Sequence, residues 1–152
     1  MQFETRRPES AAIVPGAVVI HAADLRLQDR MPAAGIAVPV LPYLVGRLAA
    51  PDEDVSRQPV GLFLPDRRPY RLSRRHFAII RREGRFWILD GASRLGTVVN
   101  GQSIGRKCGR DAIPLQAGDN AIVAGGTGSE YAFRIVVRVS HEPRIEAVTK
   151  LE

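Results

Sequence analysis

Phe77-Ala78-Ile79-Ile80-Arg81-Arg82-Glu83-Gly84-Arg85-Phe86-Trp87-Ile88-Leu89 sets two short apolar runs on either side of a Glu-Gly pair. Runs of this length, rich in β-branched and aromatic residues, suit strands, and the break at Glu83-Gly84 predicts a β-hairpin. Trp87, between Phe86 and Ile88, is expected in the core. Downstream, Thr97-Val98-Val99 runs into Asn100-Gly101, a strong hairpin-turn dipeptide. Ile113-Pro114-Leu115, Ala121–Val123 and the partly alternating Tyr131–Val139 follow as further strands. Upstream, Val60–Leu64 is closed by Pro65-Asp66, and Tyr43-Leu44-Val45 ends in Gly46-Arg47. Val18-Val19-Ile20 opens a first strand, expected to continue through Leu25 and Leu27. Ile36–Val40 lies among Pro32, Pro39 and Pro42, which confines it to a sheet edge or a loop. No long helical period interrupts this series. Short strands at such spacing, with turn signals between them, predict an all-β sandwich whose function sits on loops at one end.

The chain has 152 residues, enough for one domain with a core of its own, and its 45% apolar and 25% charged residues are ordinary for a globular protein. Cys108 is the only cysteine, so no intrachain disulfide forms; a reducing, cytoplasmic setting is expected. No apolar run reaches the ~18 residues of a membrane span. The start, Met1-Gln2-Phe3-Glu4-Thr5-Arg6-Arg7, does not read as a secretory signal. Residues 1–12 read as a flexible lead-in, 13–140 as the domain, and 141–152 as a tail whose Leu151-Glu152 resembles a cloning remnant. The net charge of +6 favours an anionic partner. Lys107 and Lys150 are the only lysines, and arginines crowd 67–85. A guanidinium meets two phosphate oxygens with a planar fork, which an ammonium does not.

Several segments could carry chemistry. Ser73 and His76 invite a hydrolase reading, but nothing around Ser73 forms a nucleophile elbow and no third orienting group is indicated. The other histidines, His21 and His141, and the single cysteine make no metal-ligand set, so neither metal nor cofactor is expected. Gly125-Gly126-Thr127-Gly128-Ser129 lacks the Gly-Lys-Ser/Thr ending of a phosphate loop and reads as a hairpin loop that could rim a site. Asp90 reads as a turn cap.

Four segments remain, all at strand ends or in loops: Val45-Gly46-Arg47; Leu72-Ser73-Arg74-Arg75-His76; Leu89-Asp90-Gly91-Ala92-Ser93-Arg94-Leu95-Gly96-Thr97; and Val98-Val99-Asn100-Gly101. Leu115-Gln116-Ala117-Gly118-Asp119 follows them. In order and spacing, over residues 43–137, they resemble the forkhead-associated (FHA) family: Gly-Arg, Ser-x-x-His, Ser-x-Asn-Gly-Thr-x-Val-Asn-Gly, then Leu-x-x-Gly-Asp. The resemblance implies a sandwich of two twisted, mostly antiparallel sheets with about eleven strands. It also implies a non-catalytic module that binds phosphothreonine peptides. On that resemblance Arg47, Ser73, Arg74, Arg94 and Asn100 form the phosphopeptide site, and Gly46, His76, Gly96 and Thr97 support it. The partner would be a phosphothreonine protein marked by a Ser/Thr kinase. One position departs: Leu95 stands where the family usually has asparagine. That removes neutral hydrogen bonds worth about 0.5–1.5 kcal/mol each. It leaves open a scaffold that associates with a partner or itself without phosphate. A weaker alternative, nucleic acid on the Arg-rich face, lacks stacking aromatics and a groove-entering element.

Overall fold

The computed structural model describes residues 11–53 and 59–138, and within them the chain is a sandwich of strands. The strands are β1 (Ala11–Ala12), β2 (Val18–Ala22), β3 (Ile36–Ala37), β4 (Val40–Leu41), β5 (Tyr43–Arg47), β6 (Gly61–Leu64), β7 (Phe77–Arg82), β8 (Arg85–Asp90), β9 (Thr97–Val99), β10 (Gln102–Ile104), β11 (Ala112–Pro114), β12 (Gly118–Ala124) and β13 (Ala132–Val137). One sheet has six strands in the order β10-β9-β12-β13-β2-β3, the other five in the order β11-β8-β7-β5-β6. Among the described residues β1 pairs with β4 alone, and it takes in two residues assigned by sequence to the lead-in. The remainder of the lead-in, residues 54–58 and 139–140 of the expected domain, and the tail 141–152 lie outside the described residues. Pairing is antiparallel except between β5 and β6, which run parallel.

Local chemistry explains most of these elements. Arg82 faces Arg85 across a two-residue turn in which Glu83 and Gly84 have φ of 55° and 74°. Val99 faces Gln102 across Asn100 and Gly101, at 50° and 84°. Two successive positive φ values give the turn whose twist matches that of paired strands, and Gly or Asn tolerates them best. Ile36–Ala37 lies at the edge of the six-stranded sheet, as its prolines require.

Two expectations are corrected. The first strand stops at Ala22, and Leu25–Gln28 forms one turn of helix, α1. The Asp24 carboxylate caps it by accepting the Arg26 N–H at 2.8 Å. Leu27 is fully buried while Leu25 is 79% exposed. A strand would have put these two side chains on one face; a helical turn separates them. Trp87 is only half-buried, because its neighbour Ile88 takes the inward position and strand side chains alternate. The indole lies under Arg82, 5.1 Å from ring centre to guanidinium carbon, and donates its Nε1–H to the Arg82 carbonyl.

The core fills the space between the sheets. Val18, Ile20, Ile122, Phe133 and Ile135 come from the six-stranded sheet, and Tyr43, Val45, Phe77, Ile79 and Ile88 from the five-stranded one. Phe77 and Phe133 meet edge to face with centroids 5.9 Å apart and so tie one sheet to the other. Phe133→Ala should therefore cost roughly 3–5 kcal/mol, measured as a lowered midpoint of guanidinium unfolding with the slope unchanged.

Candidate functional site

Loops gather where β5 ends and β7 begins. Gly46 allows the closest approach there: a Cβ at this position would lie 2.0 Å from the Arg74 carbonyl oxygen. Only glycine lets the 73–74 backbone cross so near. The Arg47 N–H then donates to the Ser73 carbonyl (3.0 Å), and the His76 N–H to the Val45 carbonyl (3.1 Å). These bonds set Arg47 and Ser73 side by side.

His76 joins this loop to the next one. Its ring is fully buried. Nδ1 accepts the Ser73 N–H at 3.0 Å, and Nε2 donates to the Gly96 carbonyl at 2.8 Å. Those partners require the neutral ring with its proton on Nε2. Burial lowers its pKa from the ordinary 6.5; the Gly96 carbonyl and the Asp90 charge oppose that shift without reversing it. With both nitrogens committed to backbone, His76 cannot serve the Ser73 hydroxyl as a base.

Asp90 builds the β8–β9 loop. Its carboxylate is buried and accepts from the Ser93 hydroxyl (2.7 Å), the Ser93 N–H (2.9 Å) and the Thr97 hydroxyl (2.7 Å). The Ser93 hydroxyl in turn accepts the Gly96 N–H at 3.0 Å. Gly96, at φ 84°, also accepts the Gly125 N–H, and Arg71 donates to the Gly125 and Thr127 carbonyls. The glycine-rich β12–β13 loop therefore stands at the same end as the site. Leu95, 41% exposed, lines a cavity of about 410 Å³ between residues 93–98, in the β8–β9 loop and β9, and residues 103–108.

On this frame sit the polar groups. Arg47 is 11% exposed and lies over the Tyr70 ring, its guanidinium carbon 4.0 Å from the centroid. Its Nη1 donates to Glu53 Oε1 at 3.2 Å, while its buried Nε–H has no partner among the described residues. Arg74, half-exposed, pairs with the other oxygen of the same carboxylate at 3.4 Å. The Ser73 hydroxyl accepts the Arg94 N–H at 3.0 Å, which leaves its own proton free to donate. The Arg94 side chain donates to the Tyr70 carbonyl at 2.7 Å. The Ala50 N–H, and after it the Arg47 guanidinium, hold the Glu53 carboxyl below its usual range.

Arg47, Ser73, Arg74 and Arg94 are thus brought together, with Gly46, His76, Gly96 and Thr97 beneath them. Asn100 is not. It lies at the far end of β9 from Gly96, where its side chain donates to Asn120 Oδ1 (2.9 Å) and accepts the Ala121 N–H (2.8 Å). Its visible task is to fasten the β9–β10 turn to β12. Two members of the cluster, Glu53 and Tyr70, carry no motif signal. Both stand in irregular loops, and only the fold brings them to Arg47. A separate cationic patch, with Arg81 over Phe86 and Arg82 over Trp87, occupies the β7–β8 hairpin. Among the described residues no group of three or more His, Cys, Asp or Glu could hold a metal, and no helix is long and apolar enough to cross a membrane.

The neutral ring of His76 makes stability pH-dependent. A histidine whose pKa is lowered in the folded state binds its proton more readily when unfolded, so acid favours unfolding. Its contribution should be complete above 6.5 and be lost as pH falls through the lower, folded-state value. The check is thermal unfolding of wild type and His76→Asn across this range. The difference between their midpoints should shrink as the pH drops.

Comparison with known proteins bears on the fold and the family. The family model for the FHA domain matches residues 43–123. No curated protein matches the chain in sequence. Similar solved structures include Mycobacterium tuberculosis EmbR in complex with a low affinity phosphopeptide, at 20% identity and TM-score 0.51, covering 82% of this chain and 25% of that one. This chain therefore spans only a part of EmbR. The FHA domain of an Arabidopsis thaliana hypothetical protein matches at 19% identity and TM-score 0.51, over 92% of this chain and 99% of its own. The yeast splicing factor Pml1 matches at 19% identity and TM-score 0.52, over 82% and 79%. At these identities the structures attest the fold, and the family model attests the membership. The chain belongs to the FHA domain family.

Proposed function

We propose that this domain is a non-catalytic reader of phosphothreonine peptides, joining its protein to partners marked by a Ser/Thr kinase in the cytoplasm. The observation that carries this reading is the convergence of Arg47 and Arg74 on a single carboxylate beside the Ser73 hydroxyl. Two cations and a free hydroxyl proton at one loop end suit a group with close to two negative charges and three acceptor oxygens. Tyr70 packs against Arg47 and limits the orientations of its fork. The phosphopeptide complex of EmbR, a protein of the same fold, supports it further.

Phosphate would lie between Arg47 and the Ser73 hydroxyl, with the Arg74 and Arg94 guanidinium groups at its margin. The threonine methyl would separate phosphothreonine from phosphoserine by apolar contact. Leu95 offers no hydrogen bond to the peptide backbone and instead presents an apolar side chain beside the 410 Å³ cavity. Exposure of Leu95 is the observation that keeps a phosphate-independent scaffold as the second reading.

Fluorescence anisotropy with a degenerate phosphothreonine library, its phosphoserine twin and its unphosphorylated twin separates the two. The reader binds the phosphothreonine pool at roughly micromolar Kd, about −8 kcal/mol, and ignores the unphosphorylated one. Arg47→Ala should lose about 2–5 kcal/mol of that binding. A folded wild-type domain that binds the phosphorylated and unphosphorylated pools equally is a scaffold.

A further inference from the structure

The carboxylate of Glu53 occupies the place where the proposed ligand would bind. Its two oxygens meet different cations, Oε1 the Arg47 guanidinium and Oε2 that of Arg74. The backbone holds it there. The Glu53 N–H donates to the Ala50 carbonyl at 2.9 Å, closing a tight turn over Ala50-Pro51-Asp52-Glu53. The side chain then folds back so that Oε1 also accepts the Ala50 N–H at 2.6 Å. Glu53 is thus presented to both arginines by a turn only a few residues beyond Arg47.

We propose that Glu53 is a specificity-determining competitor: a resident carboxylate that neutralises Arg47 and Arg74 until a phosphate displaces it. The proposal rests on the phosphopeptide reading above. A carboxylate brings one negative charge and two oxygens. A phosphothreonine brings close to two charges and three oxygens, so it gains more from the same cations and from Ser73. An aspartate or glutamate on a peptide gains no more than Glu53 already has, and it must also meet the entropic cost of association. Glu53 therefore lowers affinity for every anion but excludes carboxylates altogether. In a domain of net charge +6, two uncovered arginines at a loop end would attract acidic segments without discrimination. Specificity gained by penalising the wrong ligand is a general device.

The test is anisotropy with a degenerate phosphothreonine library and a twin carrying glutamate at that position, using wild type, Glu53→Gln, Glu53→Ala and Arg47→Ala. Glu53→Gln removes the charge and keeps an oxygen for the Ala50 N–H; Glu53→Ala removes the contact outright. Both variants should bind the phosphothreonine library roughly three- to tenfold more tightly than wild type, and both should acquire Arg47-dependent binding to the glutamate twin. Unchanged or weaker phosphothreonine binding by both variants, while wild type binds through Arg47, overturns the proposal and leaves the reader intact: Glu53 would then only brace the arginines. If wild type and both variants are folded by circular dichroism and none binds the phosphothreonine library, the proposal and the reader both fall.

Discussion

Both ring nitrogens of His76 bond to backbone in a place that water does not reach, Nδ1 to the Ser73 amide and Nε2 to the Gly96 carbonyl. A buried donor or acceptor deprived of its partner costs about 1–3 kcal/mol, so neither loop can leave the ring without penalty. The backbone of the same residue reaches Val45 on one side and Gly91 on the other. His76 thus fixes the distance between the loop that carries Ser73 and Arg74 and the loop that carries Arg94 and Leu95. Asp90, satisfied by two hydroxyls and an amide, holds the second loop in shape.

That bracing determines what the exposed groups can do. Arg47 is largely buried, with the Tyr70 ring against its guanidinium and Glu53 at its fork. Little rearrangement is needed for it to meet an anion, because the β5 backbone and the Ser73 carbonyl fix its Cα. Arg74 and Arg94 are more exposed and can adjust. A rigid central fork with adaptable cations around it would suit the proposed ligand, a phosphate group set in varied peptide sequences. The neutral state of His76 belongs to the same design: protonation would oppose the Ser73 N–H with another N–H and loosen the loop that supports the hydroxyl.

Much of this was legible in the sequence because its causes are local. Glu83-Gly84 and Asn100-Gly101 announce their turns through the positive φ that they tolerate. Gly46-Arg47 and Ser73-x-x-His76 stand out by residue type and spacing, and the close approach at Gly46 supplies the physical reason for that glycine. What was not legible depends on distant partners or on geometry that a linear pattern does not distinguish. Leu25 and Leu27 look like strand alternation, yet the cap at Asp24 turns them into one helical turn with a single buried leucine. Trp87 looks like core, but the pleat gives the inward place to Ile88. Asn100 has its motif position, yet Asn120, 20 residues away, claims its side chain. Glu53 and Tyr70 lie in loops whose course follows from the whole sandwich, so nothing in their immediate neighbours marks them.

In the proposed reading an anion is met where Arg47, Ser73, Arg74 and Arg94 converge, and amide chemical-shift mapping checks this residue by residue. The ¹⁵N-labelled domain would be titrated with the phosphothreonine peptide library. The largest shifts should fall on the amides of these four residues and of Leu95, with Asn100, Asn120 and the β7–β8 hairpin tip unmoved. Shifts centred on Arg81, Arg82 and Arg85, or an unchanged spectrum at saturating peptide, would contradict it.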